Sequence, residues 1–350
     1  MSSPPGQPSP ERGRDAAPAS PPVPPRYLSA LFASAFLALL GFYGLLFGLR
    51  STGHLPPPAF ANSICVDEKL AFHRANPVPG ATLLVIGSSV AWRHFDGDAV
   101  VERTPQAVPL SGAFCGFSAN QSVFAANWFL DRQPALREVL LIASPQDFEN
   151  CTTTRTAAFD GADAAAYVEG ASPWPFYMRY FAPTSLLRNA SEIAAKRSGK
   201  NWIDPLVFDR YGSGPLDTPR NRETLLYEMV RTMDQACFDA VASLGQRLKQ
   251  EGKRLLVAST PLHPTWKAEG DPQGRTVAEF NQRMEAALAP SGGTFWDGDA
   301  AQVVGPEAFF DAIHLRWSAA RTYSDALAEA LKLGSVSPPR PTLLSDQRAP

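Results

Sequence analysis

The chain has 350 residues, of which 45% are hydrophobic and 19% charged, and its 32 basic and 34 acidic side chains leave a net charge of −2. That balance removes the electrostatic case for nucleic acid as a partner, which calls for a basic domain. Four cysteines (Cys65, Cys115, Cys151, Cys237) without a C-x-x-C pair exclude a disulfide-built scaffold and a zinc ribbon, and five scattered histidines lack ligand spacing, so neither metal nor cofactor is expected.

Residues 1–26 are mostly Pro, Ser, Ala and Gly, too poor in apolar surface to fold, and read as a disordered tail. Residues 28–49 (LSALFASAFLALLGFYGLLFGL) follow, 22 positions without a charge. A helix rising about 1.5 Å per residue covers the roughly 30 Å hydrocarbon core over that length. Residues 27–50 therefore read as a transmembrane signal-anchor. Arg12, Arg14 and Arg26 precede the span and Arg50 alone follows closely, which keeps the tail cytoplasmic and exports the rest. A cleaved signal peptide competes through the small-x-small pattern Ala59-Phe60-Ala61, but that site lies well beyond the apolar run. Residues 51–79 form a stalk, with Pro56-Pro57-Pro58, and the entry to a domain.

Short apolar runs then alternate with helical patterns. Residues 82–86 (TLLVI), 138–143 (EVLLIA) and 254–258 (RLLVA) read as buried strands, with 294–296 a weaker fourth and 107–110 an edge or second strand. Apolar runs without alternation suit a parallel sheet covered on both faces. Ser118 with Gln121 opens a helix to about residue 130 through a capping box. Pro219 heads a helical stretch to about Glu251, stopped by Gly252, with Leu225, Met229, Met233, Cys237 and Val241 repeating every fourth position. Residues 277–288 and 318–331 complete the helices. The alternation predicts a three-layer α/β/α, flavodoxin-like domain with a mainly parallel sheet over residues 80–333, followed by a flexible tail at 334–350. In such sheets the chemistry sits beyond the carboxyl ends of the strands.

Two local patterns occupy that rim. Gly87-Ser88-Ser89-Val90 turns from strand to helix, where a serine either stands exposed as a nucleophile or simply caps the helix. Asp311 and His314, three apart before the last helix, suit a carboxylate holding an imidazole tautomer whose other nitrogen faces a serine. His94 also carries an imidazole near Ser89, but on the same helix and so pointing elsewhere.

In this order the pieces resemble the SGNH (GDSL-like) hydrolases and acyltransferases: Gly87-Ser88-Ser89, then Ser111-Gly112-Ala113-Phe114-Cys115-Gly116, then Ser144-Pro145-Gln146-Asp147, then Asp311-Ala312-Ile313-His314. The resemblance implies Ser89 as nucleophile, His314 as general base and Asp311 as its orienting partner. It also implies an oxyanion hole from the Ser89 and Gly116 N–H groups. Gln146 stands where that family carries asparagine, and its amide can still donate. The third block is similar to that of membrane-anchored D-alanyl transfer proteins, and anchor plus exported domain is similar to alginate-type O-acetylation proteins.

Trp92 and Arg93 are expected as substrate contacts or as the packed face of a turn. His263, after the third buried strand, is expected on the substrate side or satisfied by backbone. Cys115 and Cys151 fall on one rim and are expected to pair, with Cys237 buried on a helix face. Residues 152–218 match no block, and Trp174, Phe176, Tyr177, Tyr180 and Phe181 within them read as satellite core or as an aromatic platform. The reading that results is a single-pass inner-membrane protein with a periplasmic serine acyltransferase or esterase domain. It would act on an envelope or exported polysaccharide, with a polytopic membrane acyltransferase as the partner the resemblance implies. A plain carbohydrate esterase or lipase-like hydrolase and a non-catalytic glycan-binding scaffold are the rivals.

The topology is directly testable. A reporter fused after residue 60 is expected to be active only outside the cytoplasm, and the mature protein to keep its N-terminus. N-terminal sequencing that begins at Asn62 would show the span to be a cleaved signal.

Overall fold

The computed structural model describes residues 24–218, 220 and 229–335. Both expected tails, apart from residues 24–26 and 334–335, and positions 219 and 221–228 of the expected long helix, Leu225 among them, lie outside the described residues. The chain divides into two units at Gly53. In the first, α1 (Pro25–Ser51) is one continuous helix, long and apolar enough to cross a membrane.

The second unit begins at His54. Its elements, in chain order, are α2 (Ile64–Ala75), β1 (Leu83–Gly87), α3 (Ser89–His94), α4 (Gly97–Arg103), β2 (Pro109–Ser111), α5 (Ala119–Leu130) and β3 (Glu138–Ala143). There follow α6 (Gly161–Val168), α7 (Trp174–Arg179), α8 (Pro183–Arg197), α9 (Gln235–Gln250), β4 (Arg254–Ser259), α10 (Pro264–Gly270), α11 (Arg275–Leu288), β5 (Thr294–Trp296) and α12 (Trp317–Ala330). The strands form one wholly parallel sheet in the order β2-β1-β3-β4-β5, the doubly wound arrangement. α5, α9 and α11 cover one face; α3, α4 and α12 cover the other.

The apolar runs are explained by this double cover. Leu84, Ile86, Val139, Leu141, Leu255 and Val257 join the core under α5 and α9. Their neighbours Leu83, Val85, Leu140, Ile142, Leu256 and Ala258 join the core under α3 and α12. Alternate positions thus serve opposite cores, each large side chain contributing roughly 1.5–3 kcal/mol by burial, so no polar position interrupts the strand.

The structure departs from the sequence reading at three places. The helix expected from Pro219 begins at Gln235: Asp234 caps it by accepting from the Ala236 N–H at 3.0 Å, and Met229 lies outside any helix, 44% exposed. Residues 51–79 are no free stalk. Pro56, Pro57, Pro58 and Phe60 are buried, Tyr177 Oη donates to the Pro56 carbonyl at 2.7 Å, and Phe60 packs within 5.3 Å of Tyr167, Phe176 and Tyr180. Phe176 and Tyr177 accordingly serve as core, not as a platform.

The last departure is the cysteine pairing. Cys65 joins Cys115 and Cys151 joins Cys237, in place of the expected Cys115–Cys151 bond and buried free Cys237. α2 brings Cys65 to the glycine loop, with the two Cα atoms 6.3 Å apart. The Asp234 N–H donates to the Phe148 carbonyl at 2.8 Å and the Asp234 carboxylate accepts from the Thr152 N–H at 2.6 Å, which seats the start of α9 beside Cys151.

Peptide mapping without reductant is expected to recover the Cys65–Cys115 and Cys151–Cys237 pairs. Replacing Cys151 and Cys237 by serine should lower the unfolding free energy by about 2–4 kcal/mol in denaturant titration. A Cys115–Cys151 peptide would overturn the pairing.

Candidate active site

β1 ends at Gly87 with φ 141°, and a Cβ there would stand 2.3 Å from the Ile142 carbonyl oxygen and 2.6 Å from the Ala91 Cβ. Only glycine lets the first strand turn so close to β3. Of the two serines that follow, one takes the capping role left open by sequence. Ser88, buried and extended, is the N-cap of α3, its hydroxyl accepting from the Val90 N–H at 3.4 Å. Ser89 is the first residue of α3 and is partly exposed.

His314 Nε2 lies 2.8 Å from Ser89 Oγ, and its Nδ1 lies 2.9 and 3.0 Å from the Asp311 carboxylate oxygens. A carboxylate only accepts, so Nδ1 carries the proton and Nε2 is left to accept from the serine hydroxyl. Asp311 also accepts from the Ile313 and His314 N–H groups at 3.1 and 2.9 Å. Burial pushes its pKa up, but the hydrogen bond and charge of His314 and these two amides outweigh it and bring it down to about 2.

Behind this triad lies Asp147. Its carboxylate accepts from the Ser144 N–H at 2.8 Å and from the Ser144 hydroxyl at 3.1 Å, and it meets the Ser88 hydroxyl. Burial pushes it up to about 6, against those hydrogen bonds and the charge of His314. His94 is fully buried on the far side of α3, bonded to the Leu315 N–H and to Thr260.

The triad opens on a cleft of about 450 Å³. Trp92, Arg93, Cys115, Ile203, Asp204, Leu216 and Phe310 line it beside the triad. Gly116, next to Cys115, is exposed with φ 73°, and the loop before it is anchored by Gly112 N–H to Val85 O (2.7 Å) and Phe114 N–H to Gly87 O (3.0 Å). Among the described residues, the N–H groups of Ser89 and Gly116 donate to no protein acceptor.

The other expected site residues fare differently. Trp92 and Arg93 reach the cleft wall, but the Arg93 guanidinium stacks on Trp92 at 3.8 Å and donates to Gly214 O (3.1 Å) and Pro205 O (2.8 Å), so it holds the loop opposite. Burial pulls its pKa down to about 10. His263 does not line the cleft: it caps α10, its Nδ1 accepting from the Thr265 N–H at 3.1 Å. Gln146 is also outside the cleft lining. Pro145 starts a 3-10 turn that is closed by Asp147, and both polar atoms of the Gln146 amide are buried with no hydrogen-bond partner among the described residues. Sequence reasoning missed the wall from Ile203, Asp204 and Leu216, which lies in a stretch without hydrophobic period. It also passed over Asp147 and the buried face of His94.

No protein-family model matches the sequence, and no curated protein matches it. Among solved structures, the chain is similar to a carbohydrate acetylesterase family member from Sinorhizobium meliloti (11% identity, TM-score 0.35), over 72% of this chain and 97% of that one. It is also similar to the inhibitor-bound aryl esterase of M. smegmatis (13% identity, TM-score 0.33), over 72% of this chain and 98% of that one.

The lowered pKa of Asp311 has a consequence for stability. A carboxylate whose pKa falls on folding adds stability that is complete above its ordinary value of 3.8 and is lost as pH drops toward about 2. The stability difference between wild type and Asp311→Asn should therefore shrink by on the order of 2 kcal/mol between about pH 5 and about pH 2. Denaturant titrations at both pH values measure it; a constant difference would refute the coupling.

Proposed function

We propose that this protein is a membrane-anchored serine esterase or acyltransferase, working outside the cytoplasm through an acyl-serine and passing the acyl group to a hydroxyl of an envelope or exported polysaccharide. The observation that carries the reading is the Ser89–His314–Asp311 chain, joined at 2.8 and 2.9 Å and open to a cleft. An unassisted serine is a weak nucleophile, and an adjacent base corrects that.

In the forward step His314 Nε2 takes the Ser89 proton as Oγ attacks the acyl carbonyl. Asp311, ionised across the neutral range, stabilises the imidazolium through the Nδ1 hydrogen bond. The carbonyl oxygen gains negative charge beside the Ser89 and Gly116 N–H groups, which are free to donate. The imidazolium then protonates the leaving group as the acyl–oxygen bond breaks. In the second half, His314 deprotonates a sugar hydroxyl or water, which attacks the acyl-serine and regenerates Ser89.

Three features support the finer parts of this reading. α1 is long enough to anchor the domain, with three arginines before the span and Arg50 alone close after it. Two disulfides fit an oxidising compartment beyond the membrane. At the cleft mouth the Asp204 side chain is 50% exposed and is held at 2.8 Å by Lys196, an acceptor fixed for a substrate hydroxyl. A polytopic membrane acyltransferase is the partner suited to supply the acyl group.

A fluorophosphonate should label the wild-type domain, and Ser89→Ala should abolish labelling. His314→Ala should nearly do so, and Asp311→Asn should cost up to about 10⁴ in rate, as the equivalent change does in a serine protease. Ser88→Ala should be far milder. Adding a soluble oligosaccharide during turnover separates transfer from hydrolysis by the acylated product. Labelling that survives Ser89→Ala would overturn the assignment of the nucleophile.

A further inference from the structure

His94 shares α3 with Ser89 but turns its ring away from the cleft, where it is completely buried. Its Nε2 accepts from the Leu315 N–H at 2.9 Å. A ring nitrogen that accepts carries no proton, so the proton sits on Nδ1 and is donated to Thr260 Oγ1 at 2.6 Å. Thr260 follows β4, and its own N–H donates to the carbonyl of Ala143 at the end of β3 at 2.9 Å. The His94 carbonyl in turn accepts from the Ser324 hydroxyl of α12 at 3.0 Å. One residue therefore ties the helix of the nucleophile to the residue next to the base, to two strand ends and to the last helix.

We propose that His94 is a positioning residue, which as a neutral imidazole protonated on Nδ1 fixes Leu315, and through it His314, at hydrogen-bonding distance from Ser89. The proposal rests on the reading of Ser89 and His314 as nucleophile and base. Leu315 follows His314 directly and is fully buried, so its N–H has no water to turn to if the acceptor is lost. A shift of about 1 Å in a catalytic group costs on the order of 10² in rate.

The charges facing His94 agree with a neutral ring. Burial, then the charge of His314, whose ring centroid is 6.3 Å away, keep its pKa well below 6.5; Asp311 opposes this and Arg93 adds to it. A protonated His94 would set an N–H against the Leu315 N–H, donor to donor, and would repel the His314 imidazolium that forms in each turnover. The loop holds its place because this ring does not charge.

The test compares His94→Met, which fills the space without an acceptor, with His94→Gln, whose amide oxygen reaches the position of Nε2. Melting temperature and near-ultraviolet circular dichroism establish folding. His94→Met is expected to lower kcat on a small acetate ester by about 10–100-fold per folded molecule, with KM changed less than about threefold. His94→Gln should recover at least tenfold of that loss. Proton NMR supplies a readout independent of turnover. The low-field resonance of the His314 Nδ1–H should broaden or vanish in His94→Met and persist in His94→Gln. The proposal is overturned by a folded His94→Met whose kcat stays within twofold of wild type, or by a His94→Gln variant as impaired as His94→Met. If the wild type itself takes no fluorophosphonate, the acyl-serine reading fails on its own. The NMR comparison then decides the positioning role, and an unchanged low-field resonance in His94→Met overturns it.

Discussion

The contact between Gly87 and the Ile142 carbonyl is the constraint on which the site depends. β1 and β3 are neighbours in register, with Gly87 opposite Ile142, and the first strand must turn off the sheet there without room for a Cβ. Because it turns at that point, Ser88 is buried as the cap and Ser89 is left facing out. The glycine loop rides on the same strand end, since the Phe114 N–H bonds the Gly87 carbonyl. Any side chain at residue 87 would displace Ser89, the Ser88 cap and the glycine loop together.

Much of this was legible because it is local. Strands buried on both faces leave unbroken apolar runs, and the sequence reading of β3 and β5 agrees with the structure residue for residue. Asp311 and His314 sit three apart, so their mutual hydrogen bond is built into one short loop. What stayed hidden is held by groups that leave no hydrophobic signature. α2 buries Asp67, Glu68, Lys69 and His73 among its apolar residues, and that erases the stripe by which a core helix is recognised. The cleft wall at Ile203 to Leu216 is fixed by backbone carbonyls bonded to Arg93, and a carbonyl has no residue identity to read. Cysteine partners depend on where α2 and α9 pack, which spacing along the chain does not encode.

Two buried basic side chains serve the same segment from two sides. Arg93 reaches it from α3, while Lys69 of α2 bonds the Gly212 carbonyl and the Ser111 hydroxyl, with burial pulling its pKa down to about 7 against the attraction of Asp209. The Tyr211 carbonyl meanwhile accepts from the Ser111 N–H at 2.9 Å and so covers the free edge of β2. The stretch without recognisable pattern is thus docked on the sheet edge by polar contacts, and it contributes residues to the cleft while Leu206 and Phe208 join the apolar core under α3 and α12.

The two disulfides join the first cysteine to the second and the third to the fourth, closing loops that neither overlap nor enclose one another. Because a chain is made from its N-terminus, Cys65 and Cys115 both exist before Cys151 is added. Pairing each cysteine with the next one to be made therefore gives the native connectivity.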